Sequence, residues 1–208
     1  MSKHELYLYP VWLRIWHGVN AICIILLIIT GISMQYGNLD YPFLPFKTSV
    51  QIHNFAGVIA AIGYVVFLVY NHFSGNGKQY VPNYRGFGGR ISKQGMYYLY
   101  GYFKGEPKPF PITKENKFNP LQRFSYLTTM YVFVPIIAIT GVGLLYPELI
   151  FTKIFHIGGV QLTAVLHSVM GFFISLFLIV HLYVASIGKN PLRNYKSIIN
   201  GYHASDEH

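Results

Sequence analysis

Charged residues are scarce in this sequence: they make up 11% of its 208 residues, against about 25% in a typical soluble domain. Low-complexity runs are missing too, no internal repeat is evident, and 52% of the residues are hydrophobic. This composition excludes a disordered chain and argues against an ordinary water-soluble enzyme. The single cysteine, Cys23, excludes an intramolecular disulfide, a four-cysteine iron–sulfur cluster and the C-x-x-C-H motif of covalent haem.

Four long stretches of the chain contain no charge at all. Each exceeds the roughly 20 residues that a helix needs to cross about 30 Å of hydrocarbon. Because a bilayer offers no partner to free backbone groups, these stretches should be helical. We therefore predict an all-α fold, an integral membrane four-helix bundle that forms a single membrane domain over residues 1–208. The predicted spans are residues 12–36, 49–73, 122–146 and 159–187, each to within a few positions.

Acidic residues are fewer than basic ones, 7 against 16, and the positions of the basic residues indicate the topology. Fourteen of the 16 Lys and Arg fall on one side, in the two terminal segments, in the loop of residues 74–121 between helices 2 and 3, or at the adjoining span ends, where Arg14 and Arg123 lie. Because cytoplasmic segments carry the excess of Lys and Arg, we predict a basic cytoplasmic loop and cytoplasmic termini. The protein is then a multi-pass membrane protein, and no nucleic-acid partner is predicted. Within the loop, an interfacial helix at about Ser92–Phe103 and an irregular segment are equal alternatives.

Nine histidines are many for this chain, and their depth in the membrane separates them. Three lie in the tails, where we expect them to be solvated, and one lies in an outer loop with a structural role. These four are His4, His203, His208 and His156. The other five lie within spans or at their ends. An ionisable side chain there is costly and suggests a function, although a single one more often forms a helix–helix hydrogen bond.

Four of the five histidines form two pairs by depth. His167 and His181 are fourteen residues apart, which places them within about 40° of one helix face and roughly 21 Å apart along the axis. His17 begins the first span on the inside, and His53 begins the second span on the outside. His17 is therefore paired with His181, and His53 with His167.

A pair of imidazoles from facing helices suits the iron of a haem. Zinc takes four ligands, or three and a water, and no carboxylate or thiol lies at these depths. Haem iron needs only two axial ligands, so the two pairs predict two non-covalent b-type haems. The residue four positions after each ligand is small, as a flat porphyrin on the helix requires, although small residues also let bare helices pack closely. These residues are Ala21, Gly57, Gly171 and Ala185.

Three further residues at the inner ends of the spans carry weaker signals. His72 fits neither pair, and a structural or interface role is favoured over proton uptake. Arg14 and Arg123 suit either of two roles, pairing with haem propionates or marking the inner interface, and the second is slightly favoured.

Together these residues resemble the prokaryotic di-haem cytochromes of the cytochrome b561 superfamily, over essentially the whole chain. The resemblance rests on Arg14-x-x-His17, on His53, on the His167/His181 spacing, and on the Asn-Pro-Leu-Gln run of residues 119–122. The superfamily includes gamma subunits of membrane formate dehydrogenases, b-type cytochromes of nickel–iron hydrogenases and cytochrome b of thiosulfate reductases. It implies the same four ligands in the same pairs. It also implies a quinone beside the inner haem, near Asn119 and Gln122, although Leu121 replaces a glycine found in formate-type relatives.

The function implied is electron transfer across the membrane between a partner redox subunit and the quinone pool. The partner would be a hydrogenase, a molybdenum/iron–sulfur subunit or a multihaem cytochrome, and the quinone menaquinone or ubiquinone. The chain would be the quinone-reactive subunit of a larger oxidoreductase rather than a complete enzyme. One rival is a transporter that uses the histidines as a proton or metal relay, but it predicts acidic residues inside the spans, which contain none. The other is a structural anchor, which leaves the paired histidines unexplained.

Overall fold

The computed structural model describes residues 5–37, 43–81, 85–113, 116–154, 156–187 and 190–204. Its regular elements are nearly all helical. In chain order they are β1 (Glu5–Tyr7), α1 (Val11–Tyr36), α2 (Phe46–Phe73), α3 (Phe87–Met96), α4 (Pro120–Thr128), α5 (Val134–Leu145), β2 (Lys153–Ile154), β3 (Ile157–Gly158), α6 (Gly159–Ser186), α7 (Arg193–Asn200) and β4 (Tyr202–Ala204).

Four helical stretches are long and apolar enough to cross a membrane: α1, α2, α6 and the continuous stretch Pro120–Leu145 that contains α4 and α5. Large apolar side chains stand exposed along all of them, for example Ile22, Ile62 and Ile139. Exposed apolar surface of this extent would be a liability in water, whereas lipid matches it. The predicted all-α membrane class is confirmed.

The third span changes its helical geometry in the middle. Between α4 and α5, residues Thr129–Phe133 form a π-helical segment. Pro135 lies two residues after this segment, and it has no N–H to donate to the carbonyl of Tyr131. In a membrane such a break is tolerated because local π-helical adjustment satisfies the freed backbone groups.

The chain divides into two compact units, and each long helix contributes to both. The first unit comprises Met1–Ile15, Tyr70–Thr129 and Phe177–His208. The second comprises Trp16–Val69 and Met130–Leu176. The first unit therefore contains most of the short elements outside the spans, and the second contains β2, β3 and most of the apolar helix length.

In the first unit, the two ends of the described chain lie side by side. Strand β1 pairs antiparallel with β4, so that Leu6 is opposite His203. Next to them the Arg14 side chain donates a hydrogen bond of 2.6 Å to the backbone carbonyl of Ile199, near the end of α7. A cation is favourable at a helix C-terminus, where carbonyls lack intrahelical partners. Leu8 is buried beside this junction.

His203 corrects one expectation. We expected it to be solvated because it lies in the C-terminal tail, yet it is only 5% exposed. The pairing of β4 with β1 removes it from solvent. Burial, with the neighbouring charges of Lys108 and Arg193, lowers the pKa of His203 below its ordinary value. His4 and His208, the other two tail histidines, lie outside the described residues.

The loop between the second and third spans contains a helix where two alternatives were open. Helix α3 begins at Phe87, five residues before the predicted start, and continues as a π-helical turn at Tyr97–Gly101. The residue before it, Gly86, has φ +62°, a left-handed conformation that glycine adopts without strain. Helix α3 packs against α4, which brings the loop to the first turn of the third span.

In the second unit, α1 and α2 approach closely at Gly63. The Trp16 indole N–H donates a hydrogen bond of 2.7 Å to the Gly63 carbonyl, and its ring stacks on the fully buried Phe67. A side chain at Gly63 would meet Asn20 at 3.2 Å. Small residues and interhelical hydrogen bonds are what hold helices together in lipid, where the hydrophobic effect gives no advantage to burial.

Candidate cofactor site

His53 on α2 and His167 on α6 face each other within the second unit. Their ring centres are 6.2 Å apart, with the ring planes at 61°. A nitrogen ligand lies about 2 Å from its metal and the ring centre roughly 1 Å further on, so two imidazoles across one metal have centres about 6 Å apart. The spacing of His53 and His167 therefore fits one metal ion between them, as in a bis-histidine haem.

His53 is seated against α1 by three neighbouring residues. The Thr30 hydroxyl lies 2.9 Å from the Nδ1 atom of His53 and donates to the Leu26 carbonyl at 2.6 Å. The ring also hydrogen-bonds the backbone of Leu27. Its Cε1 atom lies over Gly31, where a Cβ atom would approach to 3.6 Å.

His167 is seated against α5 in the same way. The Thr140 hydroxyl lies 3.0 Å from the Nδ1 atom of His167 and donates to the Ile136 carbonyl at 2.8 Å. The ring also hydrogen-bonds the backbone of Ile137. Its Cε1 atom lies over Gly141, where a Cβ atom would approach to 3.2 Å.

The residues that contact each histidine ring, here called its seat, form a local repeat that was not recognised in the sequence. The tripeptide Ile-Thr-Gly occurs at residues 29–31 and again at 139–141, and each copy meets a histidine. The glycines four residues after those histidines match as well: a Cβ atom at Gly57 would touch Leu27, and one at Gly171 would touch Ile137, both at 3.8 Å. Ile-Thr-Gly in two spans was the available signal, but three residues are too short to stand out.

The second predicted pair has one member in each unit. His17 lies on α1 in the second unit and His181 on α6 in the first, and their pairing stays a prediction. His181 has aromatic surroundings within its own unit. Its ring stacks on Phe177 at 5.6 Å and 19°, and the Tyr126 hydroxyl lies 3.4 Å from its Nδ1 atom.

Asn119 and Gln122, the predicted quinone residues, form the N-terminal cap of α4. The Asn119 side chain accepts a hydrogen bond from the backbone N–H of Gln122 at 2.9 Å, and the Gln122 side chain accepts one from the N–H of Asn119 at 3.2 Å. This reciprocal capping box satisfies two backbone donors that a helix start leaves free. It uses the two side-chain oxygens and leaves the Gln122 amide nitrogen outside the box. A structural role therefore accompanies any functional one.

The loop adds two polar residues that the sequence analysis did not single out. The Asn119 side-chain amide donates a hydrogen bond of 2.6 Å to the Tyr98 hydroxyl, and Gln94 hydrogen-bonds the same hydroxyl. Burial raises the pKa of Tyr98 to about 12, so its phenol stays protonated near neutral pH. Gln94 is 3% exposed, and its Oε1 atom is buried without a hydrogen-bond partner. Only the packing of α3 against α4 brings these residues to Asn119.

The other histidines and arginines singled out in the sequence lie in turns or at the ends of helices. His72 is exposed in the last turn of α2, against Phe73. His156 has φ +66° in the turn between β2 and β3. The Arg123 guanidinium donates to the Val81 carbonyl and to the Asn116 side chain, both at 3.1 Å. Like Arg14, it therefore ties a neighbouring segment to the start of a span.

Among the residues that the structure describes, no cluster of three or more His, Cys, Asp or Glu could hold a metal ion. A pair of imidazoles is thus the arrangement available, and it suits an iron whose other ligands come from a porphyrin. These features indicate a class: a multi-pass membrane protein with facing histidines on its spans, an arrangement typical of b-type cytochromes.

Comparison with known proteins identifies the family. The family model described as prokaryotic cytochrome b561 matches residues 8–201. The chain therefore belongs to the prokaryotic cytochrome b561 family, and the resemblance noted from its motifs is confirmed. It is 34% identical, over 200 residues, to "Putative cytochrome YdhU" of Escherichia coli (strain K12). The matched region covers 96% of this chain and 75% of that protein. Membership makes it a b-type cytochrome that transfers electrons in a membrane together with redox partners.

Proposed function

We propose that this chain is a di-haem subunit that carries electrons across the membrane between a partner redox subunit and the quinone pool. The observation that supports this most directly is the pair His53 and His167, whose ring centres are 6.2 Å apart. A b-type haem supplies one-electron transfer when bound. The role of the protein is to ligate and orient that haem and to keep it in a dry, apolar environment.

The second haem site rests on the sequence pattern and on α6. His167 and His181 both lie on this unbroken helix, and their fourteen-residue spacing corresponds to roughly 21 Å of axial rise. His181 would then serve a site of its own, with His17 as the second ligand. The Phe177 ring stacks on the His181 ring and the Tyr126 hydroxyl lies near its Nδ1 atom, which would orient it as a ligand.

The haem content of the purified protein tests this proposal. We expect a low-spin b-type spectrum and two haems per chain, with one haem lost in His53→Ala and the other in His17→Ala. His72→Ala and His156→Ala are matched controls, because both histidines lie outside the proposed sites, and they should keep both haems. A protein without a b-type spectrum contradicts the proposal. A chain with one haem that His17→Ala leaves in place contradicts the second site.

A quinone site near His181 is supported by the first turns of α4. Gln122 lies one turn before Tyr126, about 6 Å along the axis, and Tyr126 contacts His181. The Gln122 amide nitrogen is left outside the capping box, so it is the donor we assign to a quinone carbonyl. Tyr98 and Gln94 extend this polar cluster with a neutral phenol and a buried carboxamide oxygen.

The substitution Gln122→Glu separates the structural role from the functional one. Glutamate preserves the capping box, because its carboxylate accepts from the Asn119 N–H as the amide oxygen does, but it removes the amide donor. We expect quinone-coupled turnover to fall about tenfold or more while both haems remain, as the loss of a hydrogen bond to substrate predicts. Gln122→Ala removes cap and donor together and should also lower the thermal stability. Turnover that Gln122→Glu leaves unchanged would restrict Gln122 to capping.

For the topology, the pairing of β1 with β4 supports termini on one side of the membrane. The Lys and Arg distribution supports the cytoplasm as that side, and membership of a prokaryotic family supports a bacterial inner membrane. His53 and His167 would then face a hydrogenase, molybdenum/iron–sulfur or multihaem cytochrome partner outside. Co-purification of the native complex identifies that partner. Reporter fusions at the two ends test the side, and a periplasmic readout at either end would contradict the assignment.

A further inference from the structure

Ligation alone does not require the contacts that Thr30 and Thr140 make with the two histidines. A histidine can bind iron through one ring nitrogen whatever surrounds the other, provided that the ring is oriented. Yet two threonines, on different spans and far apart in the chain, place their hydroxyls 2.9 Å and 3.0 Å from the Nδ1 atoms of His53 and His167. The same contact, made twice, indicates that the hydroxyls have a role beyond packing.

The hydrogen bonds of each threonine determine the direction of this contact. A threonine hydroxyl has one hydrogen. In Thr30 this hydrogen points to the Leu26 carbonyl at 2.6 Å, and in Thr140 to the Ile136 carbonyl at 2.8 Å. Each hydroxyl oxygen is left to accept, so the Nδ1 atom of the histidine must carry the hydrogen.

The backbone contacts of the rings agree with this direction. His53 hydrogen-bonds the backbone of Leu27, and His167 that of Ile137. A backbone carbonyl can only accept. Because each threonine hydroxyl accepts at Nδ1, the hydrogen stays on that atom, and the Nε2 lone pair is left for the metal in each ring.

We propose that Thr30 and Thr140 are paired positioning residues that fix His53 and His167 in the Nδ1–H tautomer and thereby lower the midpoint potential of the haem between them. The proposal rests on the haem ligation proposed above. A ring N–H that donates to an acceptor makes the imidazole a more basic ligand. A more basic ligand favours the oxidised, more highly charged iron, and two equivalent seats contribute two equal shares.

Valine substitutions test this because valine has the shape of threonine without its hydroxyl. In Thr30→Val and Thr140→Val we expect the midpoint potential of the His53/His167 haem to rise, since the ring N–H keeps only the backbone acceptor. The ratio of reduced to oxidised haem at a fixed potential should change about three- to tenfold, or roughly 30 to 60 mV for a one-electron couple. The two shifts should be of similar size, and the double variant should show their sum.

Thr163 provides the matched control. It lies on α6 and donates to the Gly159 carbonyl at 2.9 Å, the same bond to the preceding turn. Thr163→Val should therefore leave the potential unchanged, and Thr30→Ser and Thr140→Ser, which keep the hydroxyl, should stay near the wild-type value. The measurements are a potentiometric titration of the visible absorption band and the low-spin ferric EPR spectrum, with the affected haem identified as the one that His53→Ala removes.

The outcomes separate this inference from the proposed function. A wild-type protein without haem overturns the proposed function and this inference with it. A protein that holds its haems but shows the same potential in both valine variants overturns only the inference. Serine variants that shift as far as the valine variants also overturn it, because shape rather than the hydroxyl would then matter. Loss of haem in a valine variant, with retention in the serine and Thr163→Val variants, supports positioning by the hydroxyl.

Discussion

The surroundings of the His53/His167 pair and those of His181 differ in chemistry, although all three residues are proposed to ligate the same kind of group. Around the first pair lie hydroxyls, backbone carbonyls and glycines. Around His181 lie the Tyr126 phenol and the Phe177 ring, and one turn from that phenol the α4 helix carries side-chain amides.

Under the proposed function, this difference would separate two tasks within one chain. A site of hydroxyls, carbonyls and glycines orients its ligands. A site that adjoins side-chain amides and phenols also offers hydrogen-bond donors to a quinone. Similar ligands in dissimilar surroundings would then serve the two ends of one electron path, and each prediction below tests one side of that contrast.

The largest effect is expected at the glycines beneath the first pair. In Gly141→Ala the new methyl group would lie 3.2 Å from the His167 ring, so the ring must shift. We expect loss of much of the haem held by His53 and His167, or a destabilisation of about 1–3 kcal/mol, which is typical of overpacking. Haem content and thermal unfolding measure this.

The two seats should differ in their tolerance of that change. Gly31→Ala places its methyl group 3.6 Å from the His53 ring, an ordinary contact, and should be nearly neutral. Gly171→Ala, at 3.8 Å from Ile137, is a control on the helix that carries the ligand. Equal losses in all three variants would mean that close helix packing, rather than the seating of the ring, explains these glycines.

A smaller effect is expected from the phenol beside His181. Tyr126→Phe removes the hydroxyl 3.4 Å from the ring but keeps the aromatic packing on Phe177. A contact of that length is at the weak end of hydrogen bonding. The midpoint potential of the haem that His181→Ala removes should therefore change less than that of the other haem in Thr30→Val. A larger change would mean that the phenol controls its ligand as firmly as the threonines do.

The smallest effect concerns pH and distinguishes the first unit. Burial and the charges of Lys108 and Arg193 lower the pKa of His203 in the folded protein, so the unfolded chain binds the proton more readily. The stability from neutral His203 is present above its unfolded pKa of about 6.5 and is lost as the pH falls through the lower folded value. After correction for the intrinsic pH dependence of amide exchange, the protection of amides in β1 and β4 should fall from pH 7 to pH 5 relative to amides in α2.

A control variant isolates that histidine. His203→Gln has a neutral side chain of similar polarity, so it should remove most of the pH dependence of exchange at β1 and β4. An equal loss of amide protection in His203→Gln would attribute the effect to other groups in the first unit.

The spans and the His53/His167 pairing could be predicted because both follow from where charged residues are absent along the chain. Runs without charge fix the spans, and depth within them pairs His53 with His167, which the structure brings face to face. The residues that seat those rings were missed because threonine and glycine are common in membrane helices for other reasons. Their role is visible only once Thr30 and Thr140 are known to lie beside an imidazole nitrogen.

Other residues escaped prediction because their setting depends on contacts between distant segments. Tyr98 and Gln94 are unremarkable in a basic, aromatic loop until α3 is packed on α4. His203 looks solvated until β4 meets β1. Asn119 and Gln122 were identified through family resemblance, and only the structure adds that they close a capping box.

The clasp between β1 and β4 has a consequence for how the protein is made. Glu5 pairs with Ala204, so a segment that precedes all four spans waits during synthesis for one that follows them. Contacts of such separation form late because the intervening chain must first be ordered. The spans can insert one by one, but the clasp closes only after the last of them has been delivered. An intact clasp thus reports that all four spans between its two strands have been synthesised and are in place.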